Sequence, residues 1–423
     1  MDRLADLAQQ SFFQLHKLII VGTGPPLVSP ARILAFDTLR KVGRGGYASD
    51  LLAPGVAPLD ARDAGLASEI VFGVLRYQAQ LDFLIEHYSG RGLRKLDFEV
   101  LLALRMGVYQ LRYLDRVPPH AAVSESVELV KKTGFRSAAG FANAVLRKVG
   151  REAVDWPDRA TALSHPEWLL ERWDREFGPE VTPLIARANL QPPETYFRVP
   201  PTASIPAGVS AEPTGIPGCY HLVSGTPAGL RIQDIGSQSV VPLLDLAPGL
   251  RFLDLCAAPG NKTAQALESG VMAVACDFHA KRVEMLKTLG VDVVHLDGTR
   301  PLPFRAAFDR ILLDAPCSGT GTLARNPEIK WRIGPSDIQE LHDRQVVLLR
   351  NALEALAPGG VLVYSTCSLE REENDGVIGA LGLQAVHIMQ RIPGVQPGDG
   401  FYAAVIRVHS RPFAAKSGTP GRE

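Results

Sequence analysis

Cysteine is scarce in this chain, with five among 423 residues, at positions 219, 256, 276, 317 and 367. None forms a CxxC pair and no His/Cys cluster has zinc spacing, so a disulfide scaffold is excluded and no metal is expected. Such usage suits a reducing compartment, and a cytoplasmic location is expected. Net charge is lacking too, because 45 basic and 45 acidic side chains cancel. The balance conceals a mild basic excess in residues 1–150, 19 Lys and Arg against 14 Asp and Glu, which fits an anionic partner but is weak by itself. No apolar run reaches the roughly 20 residues that a membrane helix needs. Residues 1–30 carry Asp2 and only short apolar stretches, unlike a signal peptide, and read as a flexible extension. A GxGxxG fingerprint is missing, which argues against a dinucleotide-dependent dehydrogenase. No repeat recurs at a period of about 20–50 residues, so a solenoid is excluded.

What is present implies two or three domains, since the length exceeds what one core holds. Residues 31–150 read as helical. Leu101, Leu104, Val108 and Leu111 define one apolar helix face, and Val123, Val127 and Val130 define another after Pro118-Pro119. Residues 151–230 read as a helical and mixed connector, with Trp156, Trp168 and Trp173 as packing anchors. Eight prolines fall between 191 and 227, but Tyr196, Phe197 and Tyr220 give this part something to bury; a disordered hinge is the alternative. From 231 to 412 strands and helices alternate, the pattern of a mainly parallel sheet covered on both faces. Strands are expected at 251–256, 271–276, 291–296, 309–314, 361–366 and 402–408. Helices are expected at 262–269, 279–289, 336–357 and 372–381. Ser336 with Gln339 reads as a capping box for the longest helix and Gly359-Gly360 as its close. Residues 413–423 read as a disordered tail.

The chemistry concentrates on the stretch Asp254–Leu267, DLCAAPGNKTAQAL. An apolar strand there turns through small residues into a helix. Such a turn leaves backbone N–H groups facing the crevice at the strand's carboxyl end, where a ligand can approach closely. Asp277, Asp297 and Asp314 end the next three strands. One such Asp is usually a cap or turn former; three in succession favour a nucleoside cofactor, with Asp277 positioned for ribose hydroxyls. Cys317 and Cys367 lie in polar turns at the same edge, where a thiol can have a depressed pKa and meet a substrate as thiolate. Cys256 sits inside the turn as a lining residue. Cys219 and Cys276 read as buried, inert cysteines.

Four segments, DLCAAPGNKT (254–263), DAPCSGTG (314–321), RNPEIKWR (325–332) and LVYSTCSLEREEN (362–374), resemble the RNA 5-methylcytosine methyltransferases of the NOL1/NOP2/Sun group. The likeness runs from about Gln191 to Val408. ARILAFDTLRKV, ASEIVFGVLRYQAQLDFLI and FANAVLRKV resemble a NusB-like RNA-binding domain. The resemblance implies an all-α NusB-like domain, a small connector and a Rossmann-like α/β methyltransferase domain. It implies S-adenosylmethionine as cofactor, held by Cys256, Ala257, Ala258, Pro259, Gly260, Asn261, Lys262, Asp277, Asp297 and Asp314, with Arg282 at the ribose end. It also implies Cys367 as the nucleophile toward cytosine C6, Cys317 as the group assisting release, and Asp314 near N3 of the base, with Lys262 also facing the cytosine. The fused NusB-like front implies small-subunit ribosomal RNA as partner, as 16S rRNA or an assembly intermediate. Transfer RNA, and a non-catalytic RNA-binding assembly factor, are the alternatives.

Three departures bear on this. Asn261 stands where a second glycine is usual and is expected to tolerate left-handed backbone angles. Asn326 and Arg407 replace a common His and Lys. Arg325, Lys330, Trp331 and Arg332 form a basic cluster with an aromatic, suited to phosphates and a stacked base; a solvated helix start is the other reading.

Overall fold

The computed structural model describes residues 28–407. The expected extension falls almost wholly outside the described residues, and the expected tail does so entirely. The chain forms two compact units. One holds residues up to Gly46, Asp50–Val71 and Leu84–Ala153; the other holds Tyr47–Ser49, Phe72–Phe83 and the chain from Val154 onward.

The front of the chain is helical: α1 (Pro30–Val42), α2 (Ala48–Val56), α3 (Ala61–Arg76), α4 (Gln78–Ser89), α5 (Phe98–Tyr113), α6 (Pro119–Lys132) and α7 (Ala139–Leu146). Helix α5 is buried on most sides, including Leu102, Leu104, Met106, Val108 and Leu111, as the central element of a small bundle must be. A Cβ on Gly107 would come within 2.7 Å of Leu146 and 3.0 Å of Ser126, so glycine there lets α6 and α7 approach α5. That approach also decides which face of α6 turns inward. Ala122, Ser126, Leu129 and Val130 are buried, whereas Val123 and Val127 are half-exposed. The inward face expected from the valines is therefore rotated by one residue, toward the small side chains that fit against Gly107.

Residues 154–230 are folded within the second unit. Helices α8 (Arg159–Leu163), α9 (Glu167–Phe177) and α10 (Thr182–Leu190) pack around Trp173, which is 1% exposed. They precede an antiparallel sheet of β1 (Tyr196–Arg198), β2 (Ser210–Pro213), β3 (Cys219–Ser224) and β4 (Arg231–Ile232), in the order β2-β3-β1-β4. Phe197 is fully buried.

A seven-stranded sheet follows, built from β5 (Arg251–Asp254), β6 (Met272–Asp277), β7 (Asp292–His295), β8 (Phe308–Asp314), β9 (Leu356–Thr366), β10 (His387–Arg391) and β11 (Phe401–Arg407). Its order is β10-β11-β9-β8-β5-β6-β7. Strands β5 to β9 are parallel, and β10 and β11 add an antiparallel edge. Strand β10 was not expected, because its residues are largely exposed and carry no apolar alternation.

Helices α11 (Ile235–Val240), α12 (Asn261–Leu267), α13 (Ala280–Leu286), α14 (Pro335–Ala355) and α15 (Asp375–Ala380) belong to this part of the chain. Side chains alternate across the sheet as strand geometry requires. Leu253, Ile311, Leu313, Leu362 and Tyr364 pack with Leu348, Leu349, Ala352 and Leu353 of α14. Phe252, Leu312, Val361 and Val363 pack with Val240, Val241, Leu244 and Ala266.

Both ends of α14 differ from expectation. Its cap is Gly334, whose backbone N–H donates to the Asp337 carboxylate at 2.8 Å. Pro335 opens the helix, because proline suits the first helical position, where its missing N–H is no loss. The helix ends at Ala355, and Gly359-Gly360 lie inside β9, where Gly359 has φ 76°. The chain bulges there, since Phe308 pairs with Leu356 but Arg310 pairs with Val361.

Phe252 is fully enclosed between strand and helix. Phe252→Ala should destabilise this unit by about 3–5 kcal/mol, read as a lower midpoint in urea denaturation.

Candidate functional site

Strand order reverses at β5 and β8. From β5 the chain runs outward through β6 and β7, then returns to place β8 on the other flank. Parallel sheets open a crevice at the carboxyl ends where this happens. Asp254 ends β5 and Asp314 ends β8.

The turn after β5 is held from beneath by the Ala257 N–H, which donates to the Cys276 carbonyl at 2.8 Å. Gly260 has φ 102°, and a Cβ there would sit 2.9 Å from Leu289, so this position needs glycine. Asn261 is not among the positive-φ residues and opens α12. The left-handed conformation expected of Asn261 is therefore taken by Gly260, one residue earlier. Asp277 ties the turn to β6, its carboxylate accepting from the backbone N–H of Ala258 (3.3 Å) and of His279 (2.9 Å). Asp297 accepts from the Thr299 N–H and hydroxyl, at 3.0 and 2.6 Å, and these bonds hold it below the ordinary carboxylate range.

Lys262 donates to the Asp314 carboxylate at 2.7 Å and lies 5.1 Å from the centre of the Phe401 ring. Burial works against its charge, yet the Asp314 carboxylate outweighs that and holds the ammonium above its usual range. The other Asp314 oxygen accepts from the Ser365 hydroxyl at 2.8 Å. Asp254 is different. Burial pushes it up to about 7, Thr263 donates to one oxygen at 2.6 Å, and Oδ1 has no partner.

A cavity of about 500 Å³ fills the crevice. Cys256, Ala258, Asp277, Arg282, Asp297, Asp314, Cys317 and Cys367 all line it. A smaller cavity of about 80 Å³ adjoins it, lined by Ser237, Asp254, Ala257, Pro259, Asn261 and Lys262 and sharing Cys256, Ala258 and Asp314. Sequence reasoning missed Phe278, His279 and Arg344 in the larger cavity. A signal existed for each. Phe278 and His279 follow directly on Asp277, and Arg344 lies one helical turn before Leu348 on the sheet-facing side of α14.

The two sulfurs of Cys317 and Cys367 are 3.4 Å apart. The depressed pKa expected for Cys317 is not what this arrangement produces. The hydrogen bond with Cys367, then burial, then the charge of its neighbours hold the Cys317 thiol well above its ordinary range. Cys219 and Cys276 are buried, at 1% and 0% exposure. Burial pushes both thiols up, Cys276 to about 12.

The basic cluster is not assembled as an open RNA contact. Lys330 is 1% exposed and donates to the Arg76 carbonyl at 2.9 Å; burial, then the Arg76 charge, push it well below the usual lysine range. Trp331 donates through Nε1 to the Leu75 carbonyl at 2.8 Å. Arg325 bridges Asp399 (2.7 Å) and Asp234 (2.9 Å). Only Arg332 of the four is exposed, and it lies 5.8 Å from the centre of the Tyr47 ring. Basic side chains so close to carbonyls and carboxylates serve the fold of their own unit.

Among the described residues no helix is long and apolar enough to cross a membrane. No group of three or more His, Cys, Asp or Glu is arranged to hold a metal ion there. The sheet order, the acidic carboxyl edge and the paired thiols define a Rossmann-like methyltransferase. Residues 241–393 match the 16S rRNA methyltransferase RsmB/F family, and residues 29–151 match the NusB family. The probable ribosomal RNA small subunit methyltransferase B of Bacillus subtilis is 33% identical over 82% of this chain and 87% of its own. The ribosomal RNA small subunit methyltransferase B of Klebsiella pneumoniae is 34% identical over 88% and 97%. The solved structure of PH0851, 22% identical over 89% of this chain and 98% of that one, shares the fold with a TM-score of 0.76. The chain belongs to the RsmB/F methyltransferase family, in the form that carries a NusB domain in front.

Asp254 gives a test of this site's electrostatics. In the folded chain its carboxyl keeps a proton up to about pH 7, whereas unfolded it ionises near 4. Its contribution to folding is therefore full below about pH 4, declines as pH rises from there and is gone above about 7. Asp254→Asn should gain on the wild type steadily between about pH 4 and 7 and hold that gain at pH 8, by a margin on the order of a few kcal/mol, measured by denaturation of the ligand-free protein.

Proposed function

We propose that the chain transfers a methyl group from S-adenosylmethionine to C5 of a cytosine in small-subunit ribosomal RNA, through a covalent bond between Cys367 and C6. One observation carries this reading. Two sulfurs 3.4 Å apart line the same cavity as Asp277, Asp297, Asp314 and Arg282. The small-subunit target rests on the relatives being ribosomal RNA small subunit methyltransferases, and the RNA-binding role on residues 29–151, which match NusB. Such an enzyme works in the cytoplasm, where small subunits are assembled.

The residues present fit the cofactor. A cavity of about 500 Å³ is the size that molecules of this class occupy. The anchored Asp277 carboxylate offers acceptors to ribose hydroxyls, the unpartnered oxygen of Asp254 is a buried polar atom left to bond, and the surrounding carboxylates favour a cation. The holding residues would be Cys256 to Lys262, Asp277, Arg282, Asp297 and Asp314. When bound, the cofactor supplies an electrophilic methyl carbon.

Cytosine C5 is a poor nucleophile. Addition of the Cys367 sulfur to C6, as thiolate once its proton has passed to solvent, moves the C5=C6 electrons to give an enamine carbon at C5 that can accept the methyl group, dividing one hard step into easier ones. The Lys262–Asp314 pair stands ready to stabilise charge on the ring. The base must be unpaired or flipped out to enter. Release then needs the C5 proton removed, so that its bonding electrons re-form C5=C6 and expel Cys367 as thiolate.

Cys317 is timed for that task. The contact with Cys367 is the first of the influences that keep it protonated, and this influence changes once the Cys367 sulfur is bonded to carbon. Cys317 can then lose its proton to solvent and take the C5 proton as thiolate. One proton is released per methyl transferred.

Cys367→Ala should incorporate no methyl into a 16S rRNA transcript, and normal turnover by it would remove Cys367 from the mechanism. Cys317→Ala should instead accumulate a protein–RNA adduct, visible as a shifted band on a denaturing gel only when S-adenosylmethionine is present. In the adduct the contact with a free Cys367 is gone but burial still opposes ionisation of the Cys317 thiol, so decay of the wild-type adduct should quicken as pH rises through the alkaline range. That slope should vanish in Cys317→Ala, as followed by quenched single-turnover gels.

A further inference from the structure

The two cysteines belong to separate loops, so something must set the distance between them. Glu373 lies directly beneath both and is fully buried. Its carboxylate accepts from the backbone N–H of Ser318 (2.8 Å), the hydroxyl of Ser318, the side-chain amide of Gln345 (3.0 Å) and the hydroxyl of Ser368 (2.5 Å). Ser318 is the residue after Cys317, and Ser368 is the residue after Cys367. One carboxylate thus grips both loops one residue beyond each sulfur.

The grip is reinforced on every side. The two serine hydroxyls meet at 3.0 Å, and Thr320, fully buried, accepts from the Leu369 N–H at 3.0 Å. Gln345 also donates to the Pro316 carbonyl at 2.9 Å, holding the residue before Cys317. Glu373 is itself fixed, since its own carbonyl accepts from the Tyr364 hydroxyl at 2.6 Å. The neighbouring Asn374 accepts from Thr366 (2.6 Å) and donates to the Ser368 carbonyl (3.0 Å). A buried carboxylate with four donors and, among the described residues, no basic partner is costly to build unless every bond is made. Fewer bonds would suffice merely to end a strand.

From this we infer that Glu373 is a positioning residue for methyl transfer, acting through Ser318 and Ser368 to hold the Cys317 and Cys367 sulfurs at the separation that the covalent cycle needs. It touches neither thiol. The inference rests on the two-thiol reading given above, but the geometry it concerns can be measured apart from activity.

Three variants test it: Glu373→Ala, Glu373→Gln and Ser368→Ala. The alanine at 373 removes all four bonds. Glutamine keeps the size, leaves one carbonyl oxygen for Ser318 N–H and Gln345, and lets the serine hydroxyls accept where they had donated. Two readouts are taken. The first is kcat and KM for a 16S rRNA transcript and for S-adenosylmethionine. The second is the rate at which diamide, taking up two electrons and two protons, joins Cys317 to Cys367 as a disulfide, followed by thiol alkylation and peptide mass spectrometry.

Glu373→Ala should lower kcat by about a hundredfold, the scale of an ångström-sized misplacement, with both KM values within about twofold of wild type. It should slow disulfide formation in parallel, and Glu373→Gln should restore most of that rate. If Glu373→Ala does not fold, Ser368→Ala decides, with a smaller fall in kcat and in disulfide rate expected. Wild-type kcat and wild-type disulfide rate in a folded Glu373→Ala, or in Ser368→Ala, would overturn the inference. Slowed disulfide formation, together with a Cys367→Ala variant that still turns over, would instead sink the two-thiol mechanism and leave the positioning intact.

Discussion

The site depends on one strand pairing. Strands β8 and β9 run parallel with Asp314 opposite Ser365, so their carboxyl ends emerge side by side. Cys317 lies three residues beyond the first of these positions and Cys367 two beyond the second. Residues 50 apart in sequence therefore meet at 3.4 Å. The crossover between the strands is α14, whose apolar face packs against the sheet and leaves β9 the slot beside β8, as the preference for right-handed crossovers requires. A one-residue slip in this register would turn the Ser365 hydroxyl away from Asp314 and the strand's apolar set to the wrong layer.

Around that pairing the charges are arranged with little redundancy. Four aspartates end or follow β5 to β8, and Lys262 is the basic group drawn closest to them, fixed to Asp314 at 2.7 Å. Backbone donors satisfy Asp277, and backbone and hydroxyl donors hold Asp297, with the exposed Arg300 guanidinium 3.4 Å from its other oxygen. An acidic cavity satisfied in this way keeps its field for a ligand. A cationic sulfonium gains from it, whereas a dinucleotide's pyrophosphate would be repelled. Asp254 carries its proton up to about 7 because it is buried behind the others with one hydroxyl donor, and the Lys262 charge does not offset that burial.

Much of this was legible in the sequence, and the reason is local. A polar residue that ends a buried apolar run lies at a sheet edge wherever the strand pairs, so Asp277, Asp297, Asp314, Cys317 and Cys367 could be assigned to one edge before any pairing was known. What failed depended on distant partners. Lys330 and Trp331 read as a basic, aromatic surface because nothing nearby in sequence neutralises them; their acceptors are carbonyls of Arg76 and Leu75, some 250 residues earlier. The inward face of α6 could not be phased from valines alone, because the contact that phases it is the space left by Gly107. The cap of α14 was misread for a different reason, as two local signals competed and proline's restriction at the first helical position prevailed over a serine one residue later.

The three environments given to one residue type show how position sets chemistry here. Cys276 lies inside a strand, fully buried, and is pushed to about 12 by burial with aspartates near it, so it serves as a small apolar side chain. Cys256 lies two residues beyond the end of β5 and lines the cavity, yet burial and the charges of Asp254, Asp277 and Asp314 hold it well above the thiol range. It therefore shares the crevice with the reacting pair without competing for substrate. Cys317 and Cys367 stand further out, where the strongest influence on the Cys317 proton is the other sulfur. A contact between two thiols is reversible in a way that burial is not, because it ends when either sulfur finds another partner. The cysteines fixed by burial can only pack, whereas the pair fixed by mutual contact can change protonation during a catalytic cycle.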